Sequence, residues 1–203
     1  ICDVVPLIGP NRALVKQGLR SMSQMNNLGI KMLFETSEID DFPSVYHAGY
    51  VLGPRINAGG RVGQSNLGAK LLITDDINEA KNISVQLNNY NEERKKLELE
   101  VLLWALEDIE LLDKEISIYT DCQNILGLQD RRKKLESNNY KSAKAKILNN
   151  HELYKEFYKK TDELNCTFIK VKGHKPSKEK NSIDDLFTLV DRGSRDALRE
   201  FNL

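Results

Sequence analysis

Eleven consecutive residues, Gly53-Pro54-Arg55-Ile56-Asn57-Ala58-Gly59-Gly60-Arg61-Val62-Gly63, hold four glycines, two arginines and an asparagine, more than a turn requires. Glycine lets backbone N–H groups come close to an anion and takes up φ > 0 without strain. Arginine adds a planar, permanently charged fork that meets a phosphate through two hydrogen bonds. Together these residue types point to a phosphodiester as ligand. The same composition also suits a tight structural turn with two solvated arginines.

The elements that must position this segment follow from periodicity and punctuation. Residues 1–8 read as the end of a buried strand or turn closed by Gly9-Pro10. Asn11 is a candidate cap for a helix over 12–25, with Leu14, Val15, Leu19 and Met22 at helical spacing. A shorter helix is expected over 30–36, a strand over 45–52 leading into the glycine-rich segment, and a small helix over 66–73. Thr74-Asp75-Asp76 offers caps for a long helix from Ile77 to about Leu112. A change of style comes near Lys114. Residues 116–120 alternate like a half-buried strand, followed by a helix over 123–128 and a basic stretch. A helix over 152–164, a strand over 166–171, a polar loop over 173–181 and an amphipathic helix over 183–201 complete the chain.

Asp3-Val4-Val5-Pro6-Leu7 with Gly9 and Asn11-Arg12, then the glycine–arginine segment, Leu71-Leu72-Ile73-Thr74-Asp75-Asp76 and Asn91-Glu92-Glu93-Arg94, resemble the RecJ branch of the DHH phosphoesterases over 1–94. That resemblance implies a 5′-to-3′ exonuclease specific for single-stranded DNA, with roles in DNA repair and recombination. It implies that Asp3 helps hold a divalent metal, Mg2+ or Mn2+. It implies that Arg55, Asn57, Gly59, Gly60 and Arg61 contact the DNA backbone. The roles make chemical sense: a carboxylate holds a hard cation that polarises the phosphoryl group, and fixed donors stabilise the developing charge. The family's Asp-His-His motif does not occur in this sequence. His47 and His151 stand without neighbouring carboxylate patterns and read as surface or packing histidines.

From Glu98 onward the chain resembles the ribonuclease H family. The pieces are Leu97-Glu98-Leu99-Glu100, Trp104-Ala105-Leu106-Glu107, Tyr119-Thr120-Asp121-Cys122-Gln123, Val171-Lys172-Gly173-His174 and Asp184. The resemblance implies that Glu98, Asp121 and Asp184 hold divalent metals and that His174 assists product release. Carboxylates at strand and helix ends suit two hard cations and in-line attack by water. Glu98 also reads as a solvated charge on a continuing helix. Asp185 competes with Asp184, because helical geometry turns adjacent residues about 100° apart. The three-stranded meander that opens such a sheet, with its own metal-binding Asp, has no counterpart between 114 and 121.

Bulk properties bound these readings. The chain has 203 residues, 40% of them hydrophobic and 30% charged, with no net charge, so attraction to a polyanion must be local. Residues 122–180 hold fifteen Lys or Arg against seven Asp or Glu, with Arg131 to Lys134, Lys141, Lys144 and Lys146 prominent. The stretch 129–147 reads equally as a solvated helix face or a basic loop. Tyr140, Tyr154 and Tyr158 are candidates for stacking on bases, with Tyr154 and Phe157 better placed in a core. No apolar run reaches membrane-spanning length, so no membrane partner is expected. Three scattered cysteines favour a reducing cytoplasm. A chain opening at Ile1 in apolar sequence is expected to start inside a larger domain.

The expected architecture is α/β: a partial DHH-associated domain over 1–95, then a partial ribonuclease-H-like segment over 96–203, joined by the long helix. Three functions follow as alternatives. One is a piece of a RecJ-type nuclease with an incomplete active site. Another is an endonuclease on RNA–DNA hybrids, and the third is a non-catalytic nucleic-acid-binding fusion product.

Overall fold

The computed structural model describes residues 5–61, 64–109, 114–142, 144–171 and 177–201, and these separate into two compact units, Ile1–Lys95 and Lys96–Leu203.

The first unit is helical. Helix α1 (Gly9–Met22) has Ile8 at its N-cap and not Asn11, because Pro10 occupies its first turn and supplies the fixed φ that a helix start favours. Asn27 caps α2 (Leu28–Thr36): its Oδ1 accepts from the Ile30 N–H at 2.9 Å while its Nδ2 donates to the Leu72 carbonyl at 2.8 Å. One side chain thus starts α2 and ties it to α5 (Leu67–Ile73). Gly29 permits the contact, since a Cβ there would lie 2.1 Å from the Leu71 carbonyl oxygen. Met32, Leu33 and Phe34 of α2 close over Leu52, Leu71, Ala80, Ile83 and Leu87 to make the core.

The strand expected over 45–52 is absent. Helical backbone begins at Val45, and His47–Leu52 form a π-helix. The burial pattern explains why: Ala48 and Leu52 are buried while Tyr46 and Tyr50 face water, a four-residue repeat and not an alternation. The glycine-rich segment is likewise helical, as α3 (Gly53–Ile56) and α4 (Ala58–Arg61).

Helix α6 (Ile77–Glu107) begins where the sequence places it, with Asp76 Oδ1 accepting from the N–H groups of Asn78 at 2.7 Å and Glu79 at 3.2 Å. It ends five residues short of the expected Leu112, and 110–113 lie outside the described residues.

In the second unit, β1 (Ile116–Thr120) pairs in parallel with β2 (Cys166–Lys170), in register from Ile116 opposite Cys166 to Thr120 opposite Lys170. A parallel pair needs a crossover, and α7 (Gln123–Ser137) and α8 (His151–Glu163) provide it. Helix α7 runs nine residues beyond the expected 128, so much of the basic stretch is ordered helix. Leu99 and Leu103 of α6 pack with Ile125, Leu128, Phe157 and Tyr158 as this unit's core. Tyr158 is buried, its hydroxyl donating to the Leu128 carbonyl at 2.8 Å, and Tyr140 and Tyr154 pack against the same cluster. None of these three is an open stacking surface. Helix α9 (Ser182–Phe201) closes the chain.

Candidate nucleic-acid interface

The phosphate-contacting candidates divide by burial. Asn57 and Gly60 are exposed, Arg55 is half-buried and Gly59 is buried. Gly59 has a structural reason to be small: a Cβ would lie 2.6 Å from the Gln64 carbonyl oxygen. A Cβ on Gly60 would meet nothing within 4 Å. Gly53 has φ −55°, and Gly9 is the only described glycine with positive φ, so these glycines serve close packing and openness in helical backbone and not left-handed turns. Arg61 ends α4, and its side chain lies outside the described residues.

Arg55 is held from two sides. Its Nε donates to Asn88 Oδ1 at 2.9 Å and its Nη1 to the Val51 carbonyl at 2.8 Å. Burial lowers the guanidinium pKa from its usual value, while Glu92 and Tyr46 oppose that shift. Two of five N–H groups fix the plane of the fork, and neither goes to a carboxylate. Such a fork is oriented before any anion arrives, which reduces the entropy lost on binding.

The carboxylate candidates do not gather. Among the described residues no group of three His, Cys, Asp or Glu could hold a metal ion. Asp184 is buried at 5% exposure and has another task. Its Oδ2 accepts from the Asn181 N–H at 3.0 Å, and Asn181 Oδ1 accepts from the Asp184 N–H at 2.9 Å. This reciprocal pair is a capping box at the start of α9. Asp184, a metal-ligand candidate by its spacing, thus serves at least as the cap of this helix. Asp185 and Asp191 on the same helix are exposed, and Asp191 pairs with Arg195.

Glu98 and Asp121 are linked through the residue after Asp121. Asp121 is exposed directly after β1, and the next residue, Cys122, donates its thiol to Glu98 Oε2 at 3.2 Å. Burial pushes the Cys122 thiol up to about 11, with a backbone hydrogen bond at Ile125 opposing and the Glu98 charge adding to the rise. Glu98 therefore faces the end of β1 and is not simply a solvated charge. Two carboxylates do not make a two-metal centre, so the described residues do not fit one. Asp3 and His174 lie outside the described residues.

On α7 the basic run is partly spent. Arg132 clamps Asp162 of α8 with Nη1 to Oδ1 at 2.6 Å and Nη2 to Oδ2 at 2.7 Å, and also bonds Glu136. Those hydrogen bonds raise its pKa and lower that of Asp162. Its guanidinium also lies 4.9 Å from the Tyr158 ring centroid, so Arg132 is a crosslink. Arg131, Lys133 and Lys134 remain exposed. His47 packs edge-on against Phe34, and His151 Nδ1 lies 2.9 Å from the Leu148 carbonyl, as expected of structural histidines.

The RNase H family model matches residues 58–191, from the first residue of α4 into α9. The chain belongs to the ribonuclease H family. The ribonuclease H match starts forty residues before Glu98, where the sequence resemblance began, and takes in α5 and the first part of α6. The chain is also similar to single-stranded-DNA-specific exonuclease RecJ. The Dickeya dadantii protein is 36% identical over 116 residues, which is 56% of this chain and 20% of that one. The Thermus thermophilus protein is 37% identical over 98 residues, 48% of this chain and 14% of that one. Against the first of these the chain spans a fifth of the relative's length. The crystal structure of RecJ from Thermus thermophilus in complex with Mg2+ aligns at 30% identity and TM-score 0.48, over 68% of this chain and 22% of that one.

Proposed function

We propose that this chain binds single-stranded DNA in the manner of a RecJ-type nuclease, gripping the sugar–phosphate chain through Arg55, Asn57, Gly60 and Arg61. One observation carries the reading: the Arg55 fork is fixed by Asn88 and the Val51 carbonyl beside two exposed small or polar residues. The similarity to RecJ supports it, at modest identity and over part of those proteins. A divalent cation, Mg2+ or Mn2+, belongs to the hydrolytic form of this function, and the described carboxylates do not complete a site for it. The chain's own contribution is then binding and orientation of the phosphodiester, with little or no hydrolysis by itself. A cytoplasmic setting and roles in DNA repair and recombination belong to the same proposal.

A second reading, cleavage of RNA in RNA–DNA hybrids, draws on Glu98 facing the end of β1 next to Asp121. The two separate on one set of measurements. Fluorescence anisotropy with a single-stranded oligonucleotide and with an RNA–DNA hybrid, each at several salt concentrations, reads preference and phosphate contacts. Tighter binding of the single strand, lost on combining Arg55→Ala with Arg61→Ala, supports the first. Cleavage of the hybrid in Mg2+ that Asp121→Asn abolishes would replace it with the second.

A further inference from the structure

Tyr46 and Tyr50 expose 63% and 54% of their surface, although aromatic rings dominate core energetics when buried. The two rings are stacked, with centroids 5.7 Å apart and planes within 24° of each other. An exposed aromatic patch on a soluble protein marks an interaction surface. The backbone beneath is unusual as well: six residues, His47–Leu52, run as a π-helix, a rare form concentrated at functional sites. The stacked rings put Tyr46 and Tyr50 on one side of this segment, and the helix that carries Arg55 follows directly. Tyr46 is a close neighbour of the Arg55 guanidinium.

We infer that Tyr46 and Tyr50 form a platform on which unpaired bases stack while Arg55 meets the adjoining phosphate. Flat rings beside a fixed cation match the alternation of base and phosphate in a single strand. A paired base keeps its faces inside the duplex, so the platform selects unpaired nucleic acid. A membrane or an apolar protein groove would not call for the cation. Glu92 also acts on Arg55 and opposes the attraction, so base stacking, not charge alone, gives this surface its preference.

This inference rests on the nucleic-acid reading above, and its test separates the two. The probes are a thymidine oligonucleotide and an abasic strand of equal length, which keeps the phosphates and lacks the bases. The proteins are the full chain, Tyr46→Ala with Tyr50→Ala, and Tyr46→Phe with Tyr50→Phe, each melted to verify the fold. Expected is a preference of the unsubstituted chain for thymidine over abasic strand of roughly tenfold or more, from the usual strength of base–aromatic stacking. The alanine pair removes that preference without changing the salt slope, and the phenylalanine pair keeps it. An alanine pair that binds thymidine as the unsubstituted chain does, or loses both probes equally, overturns the platform and leaves the nucleic-acid reading standing. If the tyrosines govern self-association in sedimentation and not DNA binding, the surface belongs to a second copy and the platform is overturned. Absence of binding to either probe at any salt removes both proposals.

Discussion

Gly59 and Gly60 sit side by side in α4, yet their surroundings demand different things of them. A methyl group on Gly59 would collide with the Gln64 carbonyl, a backbone atom that cannot swing away. On Gly60 it would meet open space. Gly59→Ala should therefore lower the melting temperature clearly while Gly60→Ala leaves it nearly unchanged, a contrast that thermal denaturation monitored by circular dichroism reads directly. Asp184 gives a second case. Asp184→Ala removes one half of the α9 capping box and should cost about 0.5–2 kcal/mol of stability, typical of lost caps. Denaturant titration measures it, and an Asp184→Ala variant as stable as the parent would argue that the cap contributes nothing. Cys122 adds a pH dependence. Its pKa, raised to about 11 in the fold from an ordinary 9.0, means the folded state holds a proton that the unfolded state gives up first. The resulting stability is full below pH 9 and disappears as the pH rises through about 11. Between those values the parent should lose more stability than Cys122→Ala in parallel urea titrations.

Among elements, the α7–α8 pair depends on Arg132. Its clamp on Asp162 is bidentate but partly exposed, with 33% and 57% of the two side chains open, so solvent screening limits its worth. A double-mutant cycle with Arg132→Ala and Asp162→Ala should give a coupling of about 0.5–1 kcal/mol, at the upper end for surface pairs because both hydrogen bonds are short. Zero coupling would leave the cation–π contact with Tyr158 as the main link from this arginine. Several elements were legible from the residues. The Asp76 cap and the alternation of 116–120 specify their structure locally, and both occur where expected. The π-helix at 47–52 was not legible, since Val45 to Leu52 is rich in residues that favour strands and only the burial of Ala48 and Leu52 decides between periods. For the candidate site, side-chain type was enough to single out Arg55 and Asp121 as candidates, but spacing could not tell that Asn181 and Asp184 bond to each other. That requires knowing where α9 begins.

Each of the two units encloses its own apolar cluster, one around Leu33, Leu71 and Leu87, the other around Leu99, Leu128 and Phe157. A core truncation should report on one cluster alone. Phe157→Ala should cost the second unit about 3–5 kcal/mol and leave hydrogen exchange of α2 and α5 unaltered. Equal loss of protection in both would mean that the chain melts as one. The small sheet has a further consequence. Among the described residues β1 and β2 pair only with each other, so each strand turns one row of amide and carbonyl groups outward. Such rows are templates for added strands. In concentrated solution the protein should be prone to growing fibrils from this ribbon, and Thr167→Lys on β2 should retard their appearance.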